Sequence, residues 1–266
     1  MASSIGQNIK MTIFGQSHSP AIGVTIDGLP AGIEIDSEKL AGFMARRAPG
    51  KDRFSTMRKE ADEVQFLSGL TDGKTNGAPL CAAIFNKDQH PKDYSAIWDT
   101  PRPGHADYTA RVKYSSFNDP TGGGHFSGRL TAPLCIAGGI LMQWLEAKGI
   151  TIGAHIASVH GVEDDKFDRV NVTANQLNSL KQKTFTCIDD EKAEKMQAEI
   201  LAAKGDCDSV GGTIECAVVG LPVGIGEPMF GGLESRIAEA VFGIPAVKGL
   251  EFGAGFEAAN MYGSEN

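Results

Sequence analysis

The sequence predicts a protein of the α+β class, because hairpin patterns and helical patterns both recur along the chain. Strand patterns over Ile9–Phe14 and Ala21–Gly28 form the first predicted hairpin, and those over Val64–Leu70 and Ala78–Asn86 form the second. Short connections between such strands produce antiparallel pairs. Helix, strand and strand then recur loosely, without a repeat of fixed period. We therefore expect antiparallel sheets combined with helices.

Two predicted helices border the segments that carry most of the polar candidates. The first begins after Asp36 or Ser37, either of which can cap it, and ends at Pro49–Gly50. The second is the apolar run Leu130–Ile150, which has the composition of a buried helix and Gly149 as its C-terminal cap. Both helices adjoin loops that are rich in charged residues or glycine.

The last part of the chain is predicted to alternate again between strands and helices. A strand pattern from Ile150 carries His155 at an alternating position, where we expect a half-buried strand histidine and not a metal ligand. The segments that follow are helices over Thr173–Lys183 and Glu191–Lys204, a loop and strand within 205–224, and a helix, a turn and a strand within 233–253.

Composition and charge exclude several classes of protein. The chain has 266 residues, of which 41% are hydrophobic, so it can bury a substantial core without disulfides or metals. It has no apolar run of about 18 residues and no signal-like N-terminus, so we expect a cytoplasmic protein without a membrane segment. Five scattered cysteines without a CxxC pair favour reduced thiols over disulfides or a zinc site. The net charge of −8 disfavours general binding to nucleic acid or to anionic membranes.

One dense basic segment stands out against this acidic background. Between Arg46 and Lys59 lie six basic residues and a single acidic one. Guanidinium groups and backbone amides in such a segment can converge on a phosphate or a carboxylate. A solvated positive surface is the alternative interpretation. An RNA contact is a third, which the overall acidity and the lack of stacking aromatics apart from Phe54 disfavour.

A second polar segment, Arg102–Thr131, combines histidines, three consecutive glycines and an arginine between apolar segments. Its glycines run directly into the predicted helix at Leu130, an arrangement that presents backbone amides and the helix dipole to an anion. His18 stands at a loop tip between the first two strands and is flanked by small residues. Such a histidine is either simply solvated or available for chemistry, and the pattern alone leaves both open.

Several motifs resemble the chorismate synthase family in their order and spacing, from Gly6 to Asn266. They are GQSHSPAIGVTIDGLPAG, the arginine block in ARRAPGKDRFSTMRKEADEVQFLSG, the segment GGGHFSGRLTA and, later in the chain, IPAVKGLEFGAGF. The resemblance implies a single α+β domain over residues 1–266, with antiparallel sheets sandwiched by helices, that assembles as a homotetramer.

The resemblance also implies a reaction. The family converts 5-enolpyruvylshikimate 3-phosphate into chorismate by a 1,4-anti elimination of phosphate and the C6 hydrogen, which is carbon–oxygen lyase chemistry. The reaction needs reduced FMN although no net redox change occurs, and NADPH is the candidate reductant. A substrate with two carboxylates and a phosphate, stacked on an anionic flavin, needs concentrated positive charge. The segment from Arg46 to Lys59 fits that demand.

Site residues follow from the same resemblance. His18 matches the histidine that protonates the departing phosphate, and His105 matches the histidine beside the flavin. Arg47, Arg53 and Arg129 match arginines that bind anionic groups of the substrate or of NADPH. The residues that match flavin contacts are His125, Phe126, Ser127, Pro245 and Ala246.

The chain departs from the family pattern in three places. Its N-terminal motif has Gln16 and Ser19 where the family has glutamate and glycine. His125 replaces an arginine and Phe126 replaces a serine, which exchanges a permanent charge and a hydroxyl for a titratable ring and an apolar one. The family pattern also continues beyond Asn266 with a flavin-contacting portion, which we expect this chain to lack unless the sequence is part of a longer protein. A non-catalytic homologue that binds flavin or anions is therefore the alternative function.

Overall fold

A computed structural model of the chain describes residues 3–48, 62–86 and 100–266. By their internal contacts the residues divide into two units, which meet in sequence between Trp144 and Leu145. Each unit combines antiparallel strands with helices, so the predicted α+β class is confirmed. The expectation of a single domain stays a prediction.

The first unit is built on a five-stranded antiparallel sheet. The strands of this unit are β1 (Ser4–Ile5), β2 (Lys10–Gly15), β3 (Ala21–Asp27), β4 (Gln65–Ser68), β5 (Leu70–Thr71), β6 (Lys74–Thr75) and β7 (Leu80–Phe85). The large sheet has the order β1-β2-β3-β7-β4, and β5 pairs with β6 separately. Both predicted hairpins, β2 with β3 and β4 with β7, are therefore confirmed.

The first strand of the second hairpin is shorter than the sequence predicts. The pattern predicts one strand over Val64–Leu70, but β4 ends at Ser68 and the register with β7 shifts between Phe66 and Ser68. Gly69 has a φ of +87°, and a Cβ added to it would lie 2.4 Å from the Cα of Leu80. The glycine lets the chain pass close to β7 and turn into the small β5–β6 pair, because only glycine adopts this conformation without strain.

Three helices accompany this sheet: α1 (Ser37–Arg47), α2 (Asp107–Lys113) and α3 (Thr131–Glu146). The Asp36 side chain caps α1 by accepting a hydrogen bond from the amide of Lys39 at 2.9 Å, as the sequence predicts. Leu40 and Met44 of α1 share a buried cluster with Ile136 of α3 and with the strands. Full burial of each such side chain contributes about 1.5–3 kcal/mol. No helix among the described residues has the length and apolar character needed to cross a membrane.

The second unit has a three-stranded antiparallel sheet and three helices. Its elements are β8 (Thr151–Val159), β9 (Val162–Glu163), α4 (Ala174–Leu180), α5 (Asp190–Gly205), β10 (Gly212–Val219) and α6 (Leu233–Phe242). The sheet order is β10-β8-β9. Thr173 and Asp189 cap α4 and α5 through their side chains, and these caps explain where the two predicted helices begin.

Two strand predictions in this unit are corrected by the structure. The pattern that begins at Ile150 is a hairpin and not one strand, because His160 and Gly161 both have positive φ and Val159 pairs with Val162. Two such residues form the turn that matches the twist of antiparallel strands. The strand predicted at the end of 233–253 is wrong, because this segment pairs with no strand among the described residues and Gly253 has a φ of +60°.

His155 is more deeply buried than its alternating pattern predicts. It lies on β8 and is 1% exposed, where the sequence predicts a half-buried side chain. Its Nδ1 lies 2.8 Å from Oδ2 of Asp164, and its Nε2 lies 2.8 Å from Oε2 of Glu215 on β10. Two carboxylates make the burial of the ring possible, since a buried polar ring needs a partner for each nitrogen.

Candidate active site

The candidate site is organised around three consecutive glycines of the first unit. Gly122, Gly123 and Gly124 all have positive φ values, of 61°, 92° and 55°. They form a tight turn that leads through Gly128–Leu130 into α3, so the predicted helix start after the glycines is confirmed. An L-residue with a side chain adopts such a run only at a high energetic cost. The glycines are therefore required for the path of the chain.

The two predicted catalytic histidines pack against neighbouring glycines of this turn. A Cβ added to Gly122 would lie 2.4 Å from Cε1 of His18, and one added to Gly123 would lie 2.5 Å from Cε1 of His105. Real Cβ atoms do not approach other atoms so closely. Each imidazole therefore occupies the space that a side chain on the adjacent glycine would need. Residues from two distant parts of the sequence thus meet on one turn.

The loop that carries His18 is held by hydrogen bonds on both sides. The amide of Ser17 donates to the carbonyl of Gly124 at 3.0 Å. The Ser19 hydroxyl accepts a hydrogen bond from a loop amide at 2.8 Å, and Asn86 Nδ2 donates to the carbonyl of Ser19 at 2.7 Å. Ser19, which replaces the family's glycine, therefore stabilises the loop through its own hydroxyl. These contacts fix the position of His18 relative to the glycine turn.

His105 belongs to a compact ionic cluster at the start of α2. Its Nδ1 lies 2.8 Å from Oδ1 of Asp107, whose other oxygen accepts a hydrogen bond from Nε of Arg102 at 2.8 Å. The Arg102 hydrogen bond lowers the pKa of Asp107 from 3.8 to about 2, against the opposing effect of burial. The aspartate is therefore ionised at neutral pH beside the histidine. Neither Arg102 nor Asp107 was among the predicted site residues.

Two of the three predicted anion-binding arginines share one buried aspartate. Nη1 of Arg47 lies 2.6 Å from Oδ2 of Asp62, and Nη1 of Arg129 lies 2.5 Å from Oδ1 of the same residue. The Asp62 side chain is 0% exposed. One carboxylate between two guanidinium groups leaves a net positive charge, and it prevents two buried cations from repelling each other. The third arginine, Arg53, lies outside the described residues.

Asn86 links this arginine pair to the loop of His18. Its Oδ1 accepts from Nη2 of Arg129 at 3.5 Å, while its Nδ2 donates to carbonyls of the His18 loop. An asparagine is suited to this position because its amide both accepts and donates. The bridge links a guanidinium group to the backbone of the loop that carries an imidazole. That combination suits an anionic leaving group that must be protonated.

His125 makes two hydrogen bonds within the chain. Its Nδ1 donates to the carbonyl of Gly15 at 2.7 Å, since a carbonyl can only accept. Its Nε2 lies 2.8 Å from the hydroxyl of Ser3. The ring thus ties the glycine turn to β2 and to the N-terminal segment. Its assignment to FMN, like that of Ser127, whose Oγ accepts from the amide of Arg129 at 3.2 Å, stays a prediction.

Phe126 lines a cleft that also includes Gly123, the glycine against which His105 packs. Its ring is 37% exposed and lies 6.2 Å from the ring of Tyr114. Asp107, Asn118 and Gly123 line the same cleft. The buried Oδ1 of Asn118 has no hydrogen-bond partner among the described residues. The cleft thus combines an apolar ring face with an unpartnered acceptor.

Pro245 and Ala246, also predicted to contact FMN, lie in the second unit. They form an exposed turn directly after α6, and Ala246 has a φ of 70°. A non-glycine residue with positive φ is strained and occurs most often at turns and functional sites. This conformation marks the turn as unusual. The flavin contacts of the two residues stay a prediction.

The fold and the site together define an α+β enzyme that has paired imidazoles and paired guanidinium groups for acid–base chemistry on an anionic substrate. The sequence profile described as chorismate synthase matches residues 9–266. The chain belongs to the chorismate synthase family.

Individual relatives agree with this membership. A chorismate synthase of Lancefieldella parvula is 46% identical over 277 residues, covering 100% of this chain and 73% of the relative. One of Methanocaldococcus jannaschii is 40% identical over 274 residues, covering 100% of this chain and 72% of the relative. A solved structure, titled as the crystal structure of chorismate synthase, superposes with a TM-score of 0.80 at 26% identity, covering 97% of this chain and 72% of that one.

The comparisons confirm four of the predictions. The predicted family and fold are confirmed, and so are the predicted function as a chorismate synthase and the predicted enzyme class, because chorismate synthases are lyases of aromatic amino acid biosynthesis. The catalytic interpretation is thereby favoured over a non-catalytic homologue. The roles of individual residues, the binding of FMN and NADPH, the homotetramer and the cytoplasmic location stay predictions.

Proposed function

We propose that this chain eliminates phosphate from 5-enolpyruvylshikimate 3-phosphate to form chorismate, with reduced FMN bound in the same site. The observation that carries the proposal is the packing of His18 and His105 on Gly122 and Gly123. Loss of a phosphate and a ring hydrogen from opposite faces of the substrate calls for two separately placed polar groups. The glycine turn supplies two imidazoles from different parts of the chain.

His18 is the proposed general acid. Its loop is hydrogen-bonded to Gly124 and, through Asn86, to Arg129. An imidazole changes its charge near neutral pH, so it can donate a proton to a departing phosphate and recover it. The adjacent guanidinium group favours the binding of the same phosphate oxygens. His18 would therefore act on an anion that the arginines hold.

Arg47 and Arg129 are the proposed anion clamp. Asp62 fixes both guanidinium groups while leaving one net positive charge on the cluster. Fixed donors stabilise developing negative charge better than mobile ones, because they need no reorganisation during the reaction. Arg53 is proposed to contribute to the same clamp. The Asp62 bridge supports this role because it preserves the orientation of the donors.

The cleft beside Phe126 is the proposed location of one side of the flavin. Phe126 would cover an apolar face of the ring system, and Asn118 would accept a hydrogen bond from a ring N–H group. Reduced FMN supplies transient electron density that helps phosphate to leave. His105, which packs against Gly123 of this cleft, would balance the negative charge of the reduced ring. Ser127, His125, Pro245 and Ala246 are further proposed contacts, NADPH is the proposed reductant, and a cytoplasmic homotetramer is the proposed assembly.

Anaerobic assay with chemically reduced FMN tests this proposal. Chorismate and phosphate should form in equal amounts from the phosphorylated substrate, and oxidised FMN should not support the reaction. His18→Ala should lower kcat by about 100-fold, the usual scale of a lost general acid. His160→Ala, which changes an exposed histidine in the second unit, is the matched control. FMN binding without chorismate formation would instead support a non-catalytic flavin-binding homologue.

A further inference from the structure

Asp107 connects His105 to Arg102 at the first residue of α2. Its side chain is 8% exposed and is contacted from two sides. Oδ1 lies 2.8 Å from His105 Nδ1, and Oδ2 accepts from both Nε and the backbone amide of Arg102, at 2.8 and 3.0 Å. Nη2 of Arg102 donates to Oδ1 at 2.9 Å. The orientation of the carboxylate is therefore fixed before any ligand binds.

This geometry determines which nitrogen of His105 carries the hydrogen. Nδ1 faces Oδ1 of Asp107 at 2.8 Å and Nη2 of Arg102 at 3.4 Å. A carboxylate only accepts and a guanidinium only donates, so the two contacts demand opposite tautomers. The carboxylate contact is shorter by 0.6 Å and is charge-assisted, which favours hydrogen on Nδ1.

The other ring nitrogen then faces the glycine turn. A Cβ added to Gly123 would lie 2.8 Å from His105 Nε2. Among the described residues, none forms a hydrogen bond with this nitrogen. Nε2 is therefore the ring nitrogen of His105 that is left to a ligand bound beside Gly123. Its availability depends on Nδ1 being occupied by Asp107.

We propose that Asp107 is a positioning residue, which holds the hydrogen of His105 on Nδ1 and presents Nε2 to the site beside Gly123. The proposal rests on the function proposed above for His105. Arg102 in turn holds Asp107, and the lowered pKa of Asp107, at about 2, keeps the carboxylate ionised at neutral pH. A carboxylate behind an imidazole orients the neutral ring, and it stabilises the charged ring that forms when Nε2 takes up a proton.

A purely structural role is the competing explanation. Asp107 lies in the first turn of α2, where a negative charge stabilises a helix by interaction with its dipole. Loss of that effect would lower stability without changing the tautomer of His105. The two explanations therefore differ in a spectroscopic observable, and stability alone does not separate them.

Asp107→Asn and Asp168→Asn form a matched pair of variants. Asp168 is an exposed turn residue of the second unit, where asparagine can form the same turn contacts. Nitrogen chemical shifts of the imidazoles, assigned with His105→Gln, should show hydrogen on Nδ1 of His105 in the wild type and in Asp168→Asn. Asp107→Asn should shift the population towards hydrogen on Nε2. It should also lower kcat by about 10- to 100-fold with less than a twofold change in KM.

Several outcomes overturn the proposal. An unchanged His105 tautomer in a folded Asp107→Asn variant does so, as does a kcat within twofold of wild type. Should this variant not fold, the wild-type spectrum decides, because hydrogen on His105 Nε2 contradicts the proposal directly. A wild-type chain that forms no chorismate would contradict the proposed function, whereas the chemical shifts would still test the role of Asp107.

Discussion

His105 and His155 make the same first contact and differ in the second. Each places Nδ1 2.8 Å from an aspartate oxygen. His155 also places Nε2 2.8 Å from Glu215, and its ring is fully buried against Phe167 at 4.7 Å. The His105 side chain is 27% exposed and turns Nε2 towards the glycine turn. Both ring nitrogens of His155 are therefore occupied, and we call it the closed histidine. His105 has one occupied nitrogen and a partly exposed side chain, and we call it the half-open histidine.

The difference separates a structural histidine from one that is suited to chemistry. The two carboxylates around His155 occupy both ring nitrogens, so the ring links β8 with β10 and has no nitrogen left for a ligand. Burial raises the pKa of Asp164, but hydrogen bonds from backbone amides, among them those of Asp189 and Ile188, outweigh it and the pKa is lowered. His105 has only one such partner, which leaves Nε2 for a ligand.

The largest expected effect is the loss of stability on replacing the closed histidine. His155→Ala removes the partner shared by Asp164, which is fully buried, and Glu215, whose side chain is 32% exposed. Removing one member of a buried ionic network costs about 3–5 kcal/mol. Urea unfolding should show this decrease, while His105→Ala should change stability by less than about 1 kcal/mol. Equal decreases in the free energy of unfolding of the two variants would contradict the distinction between the closed and the half-open histidine.

Replacement of the half-open histidine should have a smaller free-energy effect, and this effect should fall on turnover and not on stability. His105→Ala should lower kcat by about 100-fold, which corresponds to about 2.7 kcal/mol. The measurement is chorismate formation with saturating reduced FMN, so that weak cofactor binding does not contribute. Wild-type turnover in this variant would contradict a role for His105 in the reaction.

A still smaller effect is expected from the acid titration of Asp107. The pKa of this residue is about 2 in the folded chain and 3.8 ordinarily, so the unfolded chain binds the proton more readily. The resulting stability is fully present above pH 3.8 and is lost as the pH falls towards 2. Asp107→Asn should therefore flatten the decrease in stability over this range, as followed by urea unfolding at several pH values. A slope identical to that of the wild type would argue against the depressed pKa.

The smallest effect is expected at a third histidine–carboxylate pair. His160 and Glu199 lie 2.7 Å apart, but their side chains are 65% and 40% exposed. Exposed pairs contribute about 1 kcal/mol or less, because water screens them and both side chains lose freedom. His160→Ala should therefore leave both the urea midpoint and kcat close to wild type. A large destabilisation would show that the number of partners and the burial of a histidine do not predict its contribution to stability in this chain.

Local patterns were sufficient to predict much of the fold and part of the site. The β2–β3 hairpin, the Asp36 cap of α1 and the buried helix α3 follow from spacing and from residue type, and the structure contains all three. His18 and His105 were identified through the resemblance of their motifs. The His160–Gly161 turn was missed, although a histidine followed by glycine between apolar residues was a usable signal for a two-residue hairpin.

By itself, the sequence determined which segments become strands and helices and which glycines permit a sharp turn, because these depend on neighbours along the chain. Only the tertiary structure decided that Asp62 holds Arg47 and Arg129 together and that the glycine turn packs against both His18 and His105. The charge and orientation of a side chain depend on its spatial neighbours. Asp62 and Arg129 are brought together by the packing of the first unit and not by any local pattern.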